Sequence, residues 1–343
     1  MHIDELELTA RSIVAEGRGI LAADESPGTL TRRFAAHRIE STPATRRAYR
    51  ELFFTTRGIA EYIGGVILED ETIRQQSVRG TPLAALLAHR GIVPGITIDA
   101  RTRPLAGCPG EVVTEGLDRL ADRLDEYRSM GARFAKWRAV IVIDDRLPSA
   151  GALRANAHAL ARYAAVCQAG GMVPIVEPEV LLEGCCGIER AEEVTGAVLH
   201  AVFDELFVQH VRLEGMLLKP NLVTAGASCA TPARPERVAL TTLRCLRRHV
   251  PPAVPGIAFL SGGQDAVAAA RHLNLINQLA DVKPWALTFS YGRALQDDAL
   301  HTWRGREENV PAAQRAFYHR ARCAASAAAG LYSSAMELAP SAA

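Results

Sequence analysis

Eight short apolar, β-branched runs alternate with longer stretches of helical period along 343 residues, and polar side chains gather at one end of the runs. Together these observations predict an α/β protein, a single-domain (β/α)8 TIM barrel spanning residues 1–343. In order, the runs are RGILAADES (18–26), GGVILED (64–70), IVPGITID (92–99), GARFAKWRAVI (131–141), MVPIVEPEV (172–180), LEGMLLKPN (213–221), PGIAFLSGG (255–263) and ALTFSYGR (286–293). Amphipathic helices fill the gaps: TRRAYRELFFTT, TEGLDRLADRLDEYRSM, ALRANAHALARYAAVCQ, AEEVTGAVLHAVFDELFVQHV, PERVALTTLRCLRRHV and QDAVAAARHLNLINQL. Strands that alternate with helices pair in parallel through crossovers, and eight such units close most simply as a barrel. A doubly wound open sheet is the alternative. It opens with a Gly-rich turn after its first strand, and Asp24-Glu25-Ser26-Pro27-Gly28 does not fit that fingerprint. The Ala- and Ser-rich stretch from about 324 reads as a mobile tail.

Composition narrows the function. A net charge of +1, with Arg and Lys scattered, argues against a nucleic-acid partner. No apolar run reaches the ~20 residues a membrane span needs, so no membrane association is expected. The N-terminal stretch MHIDELELTARSIVAEG is acidic and helical in period, unlike an export leader. The seven cysteines are therefore read as reduced thiols of a cytoplasmic protein. None of the ten histidines ends a strand run or falls in a His-Glu-x-x-His pattern, so no metal is expected in the chemistry.

Chemistry in such a barrel sits at the C-terminal ends of the strands. The first run ends near Asp24, the fourth carries Lys136 and Arg138, and the fifth carries Glu177 and Glu179. The sixth ends in Lys219, which Pro220 follows at once. Side chains two apart share a strand face, so Lys136 and Arg138 point together, as do Glu177 and Glu179, and Lys219 lies with Leu217 and Gly215. Buried ions are costly unless paired, so two lysines and two carboxylates converging inside a barrel are seldom padding. A second cation about 5 Å from an ammonium, at an effective dielectric near ~20, disfavours it by roughly 3 kcal/mol. On this reading Lys136 helps Lys219 present an amine that attacks a carbonyl and forms a Schiff base. Glu177 then protonates the departing hydroxyl, and Asp24 positions the lysines and a substrate hydroxyl.

The last two runs end in Ser261-Gly262-Gly263 and Ser290-Tyr291-Gly292-Arg293, and each leads into a helix. Glycine lets backbone N–H groups approach an anion, helix N-termini favour negative charge, and a guanidinium forks onto phosphate oxygens. Phosphate after strands seven and eight is a recurrent barrel arrangement.

These residues lie in long motifs: GILAADES, GGVIL with a following ET, FAKWR, ARYA with a following CQ, VPIVEPE, LEGMLLKPN with VT, PPAVPG, FLSGGQ and KPWALTFSYGRALQ. In this order, over roughly residues 10–320, the chain resembles the class I, Schiff-base-forming fructose-bisphosphate aldolases. The resemblance implies reversible aldol cleavage of fructose 1,6-bisphosphate to dihydroxyacetone phosphate and glyceraldehyde 3-phosphate, in glycolysis and gluconeogenesis. It implies no cofactor and no metal, a sugar-phosphate partner, and a homotetramer. It also implies that Lys219 carries the imine, that Glu177 is the acid/base, and that Glu179, Lys136 and Asp24 complete the catalytic set. Arg138, Ser261, Gly262, Gly263, Ser290, Gly292, Arg293, Arg33 and Ser26 are implied to contact substrate and its phosphates. A catalytically inactive relative that only binds, or another Schiff-base lyase, is the alternative. The former would have lost Lys219, Glu177 or Asp24, and all three are present.

Two departures stand out. Thr97 occupies the position, two before the aspartate of GITID, where the family carries a lysine that helps hold substrate. Arg101 and Arg103 are the expected compensation. Well-known members also end in a tyrosine that assists proton exchange, whereas this chain ends Pro340-Ser341-Ala342-Ala343 and its last tyrosine is Tyr332.

Overall fold

The computed structural model describes residues 3–338. After helix α1 (Ile3–Ile13), strand β1 (Gly19–Ala22) leads through α2 (Pro27–Ala35) and α3 (Pro43–Thr55) to β2 (Ile63–Leu68). Two short helices, α4 (Asp70–Arg74) and α5 (Leu83–His89), precede β3 (Val93–Thr97). A hairpin of β4 (Arg101–Pro104) and β5 (Val112–Glu115) and helix α6 (Leu120–Ser129) precede β6 (Phe134–Val142). Then follow α7 (Ala150–Ala169), β7 (Val173–Leu181), α8 (Ile188–Val208), β8 (Leu217–Leu218), α9 (Pro235–His249), β9 (Gly256–Phe259), α10 (Ala266–Gln278) and β10 (Ala286–Tyr291). The chain closes with α11 (Arg293–Trp303), α12 (Val310–Ala328) and α13 (Ala335–Leu338). Eight parallel strands form a closed barrel in the order β1-β10-β9-β8-β7-β6-β3-β2, so all eight predicted runs are barrel strands.

Strand alternation divides the apolar residues into two layers. Leu21, Val66, Ile96, Trp137, Val176, Leu218 and Phe259 point outward and pack beneath the helices. Ile20, Ala22, Ile67, Phe134, Val173, Ile175, Leu217 and Ala258 point inward and fill the barrel. Leu6, Ala10 and Ile13, spaced four and three apart on α1, share that inner cluster, so α1 plugs the barrel's N-terminal end. The close approach needs glycine: a Cβ on Gly64 would lie 2.2 Å from the Ile13 carbonyl oxygen. With that end filled by hydrocarbon, the C-terminal end of the same column is left for polar groups.

Three expectations change. The helix read from 114 begins only at Leu120, because the β-branched Val112–Glu115 pairs antiparallel with Arg101–Pro104. Gly116 then turns at φ +127°, where a Cβ would meet the Ala100 nitrogen at 2.9 Å. The run 213–221 is a 3-10 turn over Leu213–Gly215 followed by a strand of two residues, Leu217 and Leu218. The stretch from about 324 begins inside α12, with Ala324, Ala325 and Ala327 buried, so as far as Ala328 it is packed helix rather than mobile tail. The remainder of that expectation reaches residues 339–343, outside the described residues.

Gly64→Ala should destabilise the fold by about 1–3 kcal/mol through displacement of α1, with little change if α1 can slide away. Denaturant unfolding followed by circular dichroism measures it.

Candidate active site

The inward column of β6 runs Phe134, Lys136, Arg138, so the apolar floor gives way to an ammonium one residue pair higher. Lys136 is 5% exposed, and such a cation needs partners. Its Nζ lies 3.0 Å from Asp24 Oδ2, 3.3 Å from Asp99 Oδ2 and 3.6 Å from Glu177 Oε2. Asp24 and Asp99 follow β1 and β3, and Glu177 lies midway along β7, so one ammonium ties four strands. Burial opposes ionisation of both Lys136 and Asp24. The three carboxylates nonetheless raise Lys136 above its usual value, and Lys136 and Lys219 hold Asp24 below its own.

Lys219 follows the two-residue β8 directly. Its amide N–H still bonds the Val176 carbonyl at 2.8 Å, while Pro220 lacks the donor that would continue the ladder. The side chain is buried, with Nζ 3.0 Å from Glu177 Oε1. Glu177 therefore bridges the two lysines, and its Oε2 is buried with no hydrogen-bond partner. The expectation that Lys136 repels charge from Lys219 is altered here: three carboxylates surround Lys136 and offset the field it projects. The group facing Lys219 is a proton acceptor, not a bare cation.

Above this cluster opens a cavity of about 210 Å³. Asp24, Glu177, Glu179, Lys219, Arg33, Ser261, Gly262, Gly263, Ser290, Gly292 and Arg293 all line it. Lys136 lies beneath it. Arg138 and Ser26 are not among the lining residues. Arg138 pairs with Glu179, and Ser26 caps α2, its Oγ accepting from the Thr29 amide at 3.3 Å.

The two glycine turns differ at their helices. Gly262 and Gly263 have φ of +58° and +80°, left-handed turns that L-residues with side chains adopt at a cost. The α10 helix behind them is already capped, since Asp265 accepts from the Ala268 amide at 2.8 Å. The α11 helix starts at Gly292-Arg293 with no side-chain cap, so its first N–H groups remain available to an anion. Ser290 Oγ, on the same rim, is buried and unpartnered. Arg33 is held by Glu25, by Asp297 at 2.8 Å, by Gln296 at 3.1 Å and by Tyr49 at 3.3 Å.

Several of these residues escaped the sequence reading. Asp99 stands two after Thr97 on the same face, and that spacing was the available signal. Glu25, fixed by Arg50 at 2.8 Å, and Thr29 also line the cavity. Gln296, fully buried, donates to the Ala22 carbonyl at 2.7 Å and locks α11 onto the end of β1. Arg101 and Arg103 do not reach the cavity: both are exposed on the hairpin, and Arg103 pairs with Glu115 at 3.3 Å. Tyr332 is buried against α10, its amide bonded to Asn274 and its hydroxyl to Glu337 at 2.8 Å, and it does not line the cavity.

Comparison with known proteins matches this arrangement to a family. The family model described as "Glycolytic: Fructose-bisphosphate aldolase class-I" matches residues 5–342. The chain belongs to the class-I fructose-bisphosphate aldolase family. It is 51% identical to a probable fructose-bisphosphate aldolase class 1 of Xylella fastidiosa, over 94% of this chain and 96% of the relative. It is 50% identical to the cytosolic fructose-bisphosphate aldolase 4 of Arabidopsis thaliana, over 96% of this chain and 84% of the relative. A solved structure of the Plasmodium falciparum aldolase, bound to TRAP and a small-molecule inhibitor, superposes with a TM-score of 0.95 at 47% identity. That match covers 96% of this chain and 95% of the other. The closed parallel barrel is thus the aldolase barrel, and no helix among the described residues is long and apolar enough to cross a membrane.

Linkage sets the pH behaviour of the buried cluster. The contribution of Asp24, whose folded value is lowered, is present above ~3.9 and is lost as pH falls through the folded value. That of Lys136, whose folded value is raised, is full below ~10.4 and is lost only as pH rises through the folded value. Lys136→Met strands three carboxylates and should cost about 3–5 kcal/mol at pH 7. The deficit should narrow below about pH 4 as they protonate. Unfolding midpoints of both proteins across that range test it, and a pH-independent gap would exclude charge as the cause.

Proposed function

We propose that Lys219 forms an imine with the C2 ketone of fructose 1,6-bisphosphate, which the chain cleaves reversibly to dihydroxyacetone phosphate and glyceraldehyde 3-phosphate. One observation carries this reading: Lys219 Nζ stands 3.0 Å from a buried carboxylate whose second oxygen accepts no hydrogen bond. A lysine attacks only as the free amine, and Glu177 can take its proton across that hydrogen bond. Glu177 then returns the proton to the carbinolamine hydroxyl, which leaves as water. The resulting iminium draws electrons from the C3–C4 bond, which breaks as the C4 hydroxyl gives its proton to the now ionised Glu177. An enamine and glyceraldehyde 3-phosphate remain. With Tyr332 held by Glu337, Glu177 is the group beside Lys219 that can hand the proton on to the enamine C3. Hydrolysis then frees dihydroxyacetone phosphate and restores Lys219. No step calls for a metal or cofactor.

Lys136 stays charged throughout and holds Asp24 and Glu177 in place, and Asp24 orients a substrate hydroxyl. One phosphate is taken by the Ser261–Gly263 turn, Ser290, Gly292 and Arg293 at the uncapped N-terminus of α11. Arg33 meets the other, and Arg138, Glu179 and Ser26 adjust the rim. The same reading carries a cytoplasmic homotetramer. Phe207 and Val208, 82% and 62% exposed at the end of α8, are apolar surface that a subunit contact would cover, and sedimentation velocity tests this.

Incubation with dihydroxyacetone phosphate, borohydride reduction and mass spectrometry of peptides should find the adduct on Lys219. An adduct on another lysine, or none, sinks the proposal. Arg293→Ala should raise the Michaelis constant tenfold or more with a smaller change in kcat, about the 1.4 kcal/mol or more of one lost charge-assisted contact. Arg101→Ala and Arg103→Ala should leave it within about twofold, as their exposed positions require; a large increase in either would mean that the hairpin folds over bound substrate.

A further inference from the structure

Away from the cavity, the described residues hold a second group of chemically able side chains. His319 and Cys323 are four apart on α12 and so share one face, and Glu337 reaches them from α13. One ligand atom from each lies within 4.8 Å of the others. His319 Nε2 is 3.6 Å from Cys323 Sγ and 3.8 Å from Glu337 Oε2. A tetrahedral ion bound at about 2.3 Å to sulfur and about 2.0–2.2 Å to nitrogen and oxygen separates its ligand atoms by roughly 3.3–3.6 Å. His319 Nε2 thus already stands within a few tenths of an ångström of that spacing from both other ligands, and the sulfur–carboxylate separation, within 4.8 Å, closes by about an ångström at most. None of them lines the cavity of the proposed reaction.

We propose that His319 Nε2, Cys323 Sγ and Glu337 Oε2 form a zinc(II) site that fastens α13 onto α12. The donor set selects the ion: thiolate, imidazole and carboxylate together suit zinc, whereas calcium and magnesium take oxygen ligands. Three protein ligands leave a fourth position for water. Cys323 is 1% exposed, and the His319 and Glu337 side chains are 11% and 19% exposed, so the site is shielded yet open on one side. Glu337 is already oriented, because Tyr332 donates to its Oε1 at 2.8 Å and turns Oε2 toward His319.

In the ion-free chain, the place beside Oε2 is taken by the Arg320 guanidinium. Arg320 has a second carboxylate within reach, with its Nε 3.2 Å from Asp298 Oδ2. On zinc binding the guanidinium moves to Asp298, and the ion replaces it as the counter-charge of Glu337. His319 turns Nε2 toward Cys323 Sγ and Glu337 Oε2, so the nitrogen that would bind the ion already faces the other two ligands. Binding forms a zinc–sulfur bond and releases the thiol proton to solvent.

The test uses the full chain stripped with chelator and titrated with zinc against a chromophoric zinc indicator, then with cobalt. One equivalent should bind, and cobalt should give the near-ultraviolet absorption of a thiolate-to-metal charge transfer. Cys323→Ala and His319→Ala should each weaken zinc binding by about 100-fold or more and abolish the rise in unfolding temperature that zinc produces in the parent. Aldolase activity, to which none of the three contributes, reports that the variants are folded. Absence of the charge-transfer band in the parent protein overturns the proposal without any variant. So does a band that survives Cys323→Ala but vanishes when Cys185, Cys186 and Cys229 become serine, which would assign zinc to the surface thiols.

Discussion

The buried Lys136 ammonium is the constraint on which the active end of the barrel depends. A cation in that position is tolerable only if carboxylates reach it, and three do, from β1, β3 and β7. β3 and β7 flank β6 directly, whereas β1 faces it from elsewhere in the ring and meets Lys136 only once the barrel has closed. Closing the barrel and assembling the site are therefore one event, and neither Asp24 nor Glu177 has much latitude to drift. Lys219 makes its one ion pair in this cluster with Glu177, which leaves it less encumbered than Lys136.

Much of this was legible in the residues. Eight β-branched runs showed their period directly, and the polar exceptions at their ends marked the mouth. Lys219, Glu177, Lys136 and Asp24 were readable because strand alternation assigns faces without knowledge of neighbours. What failed was whatever depends on who sits opposite. Two lysines suggested repulsion, but Asp99 was not counted among the partners, and its carboxylate helps turn Lys136 from a repelling charge into a tether. Thr114 and Glu115 passed for the start of a helix because their hairpin partners, Thr102 and Arg101, lie across a loop. Gln296 and Tyr49 looked like ordinary helix residues. Only packing shows that they hold Arg33 against the rim. Arg101 and Arg103 were judged by nearness in sequence to Thr97, and the hairpin carries them outward.

The rim proposed to bind phosphate is built mainly from what the backbone leaves unpaired. Of the two helices that begin there, α10 satisfies its own N-terminus with Asp265, and α11 does not. The unpartnered Ser290 hydroxyl lies next to that open end. Unsatisfied donors cost stability in the empty protein and are retained where a ligand completes them.

Thr97, in the place of a lysine, has a further effect. Four carboxylates (Asp24, Glu25, Glu177 and Glu179) and three cations (Arg33, Lys219 and Arg293) line the cavity, so it presents no surplus of positive charge to a doubly phosphorylated sugar. The field of a helix terminus fades within a turn, and only net charge reaches across a Debye length of roughly 8 Å. Such a mouth recognises its ligand by touch and does not draw it in from afar. Its encounter rate is then set by diffusion and collision angle, and added salt has little long-range attraction to screen.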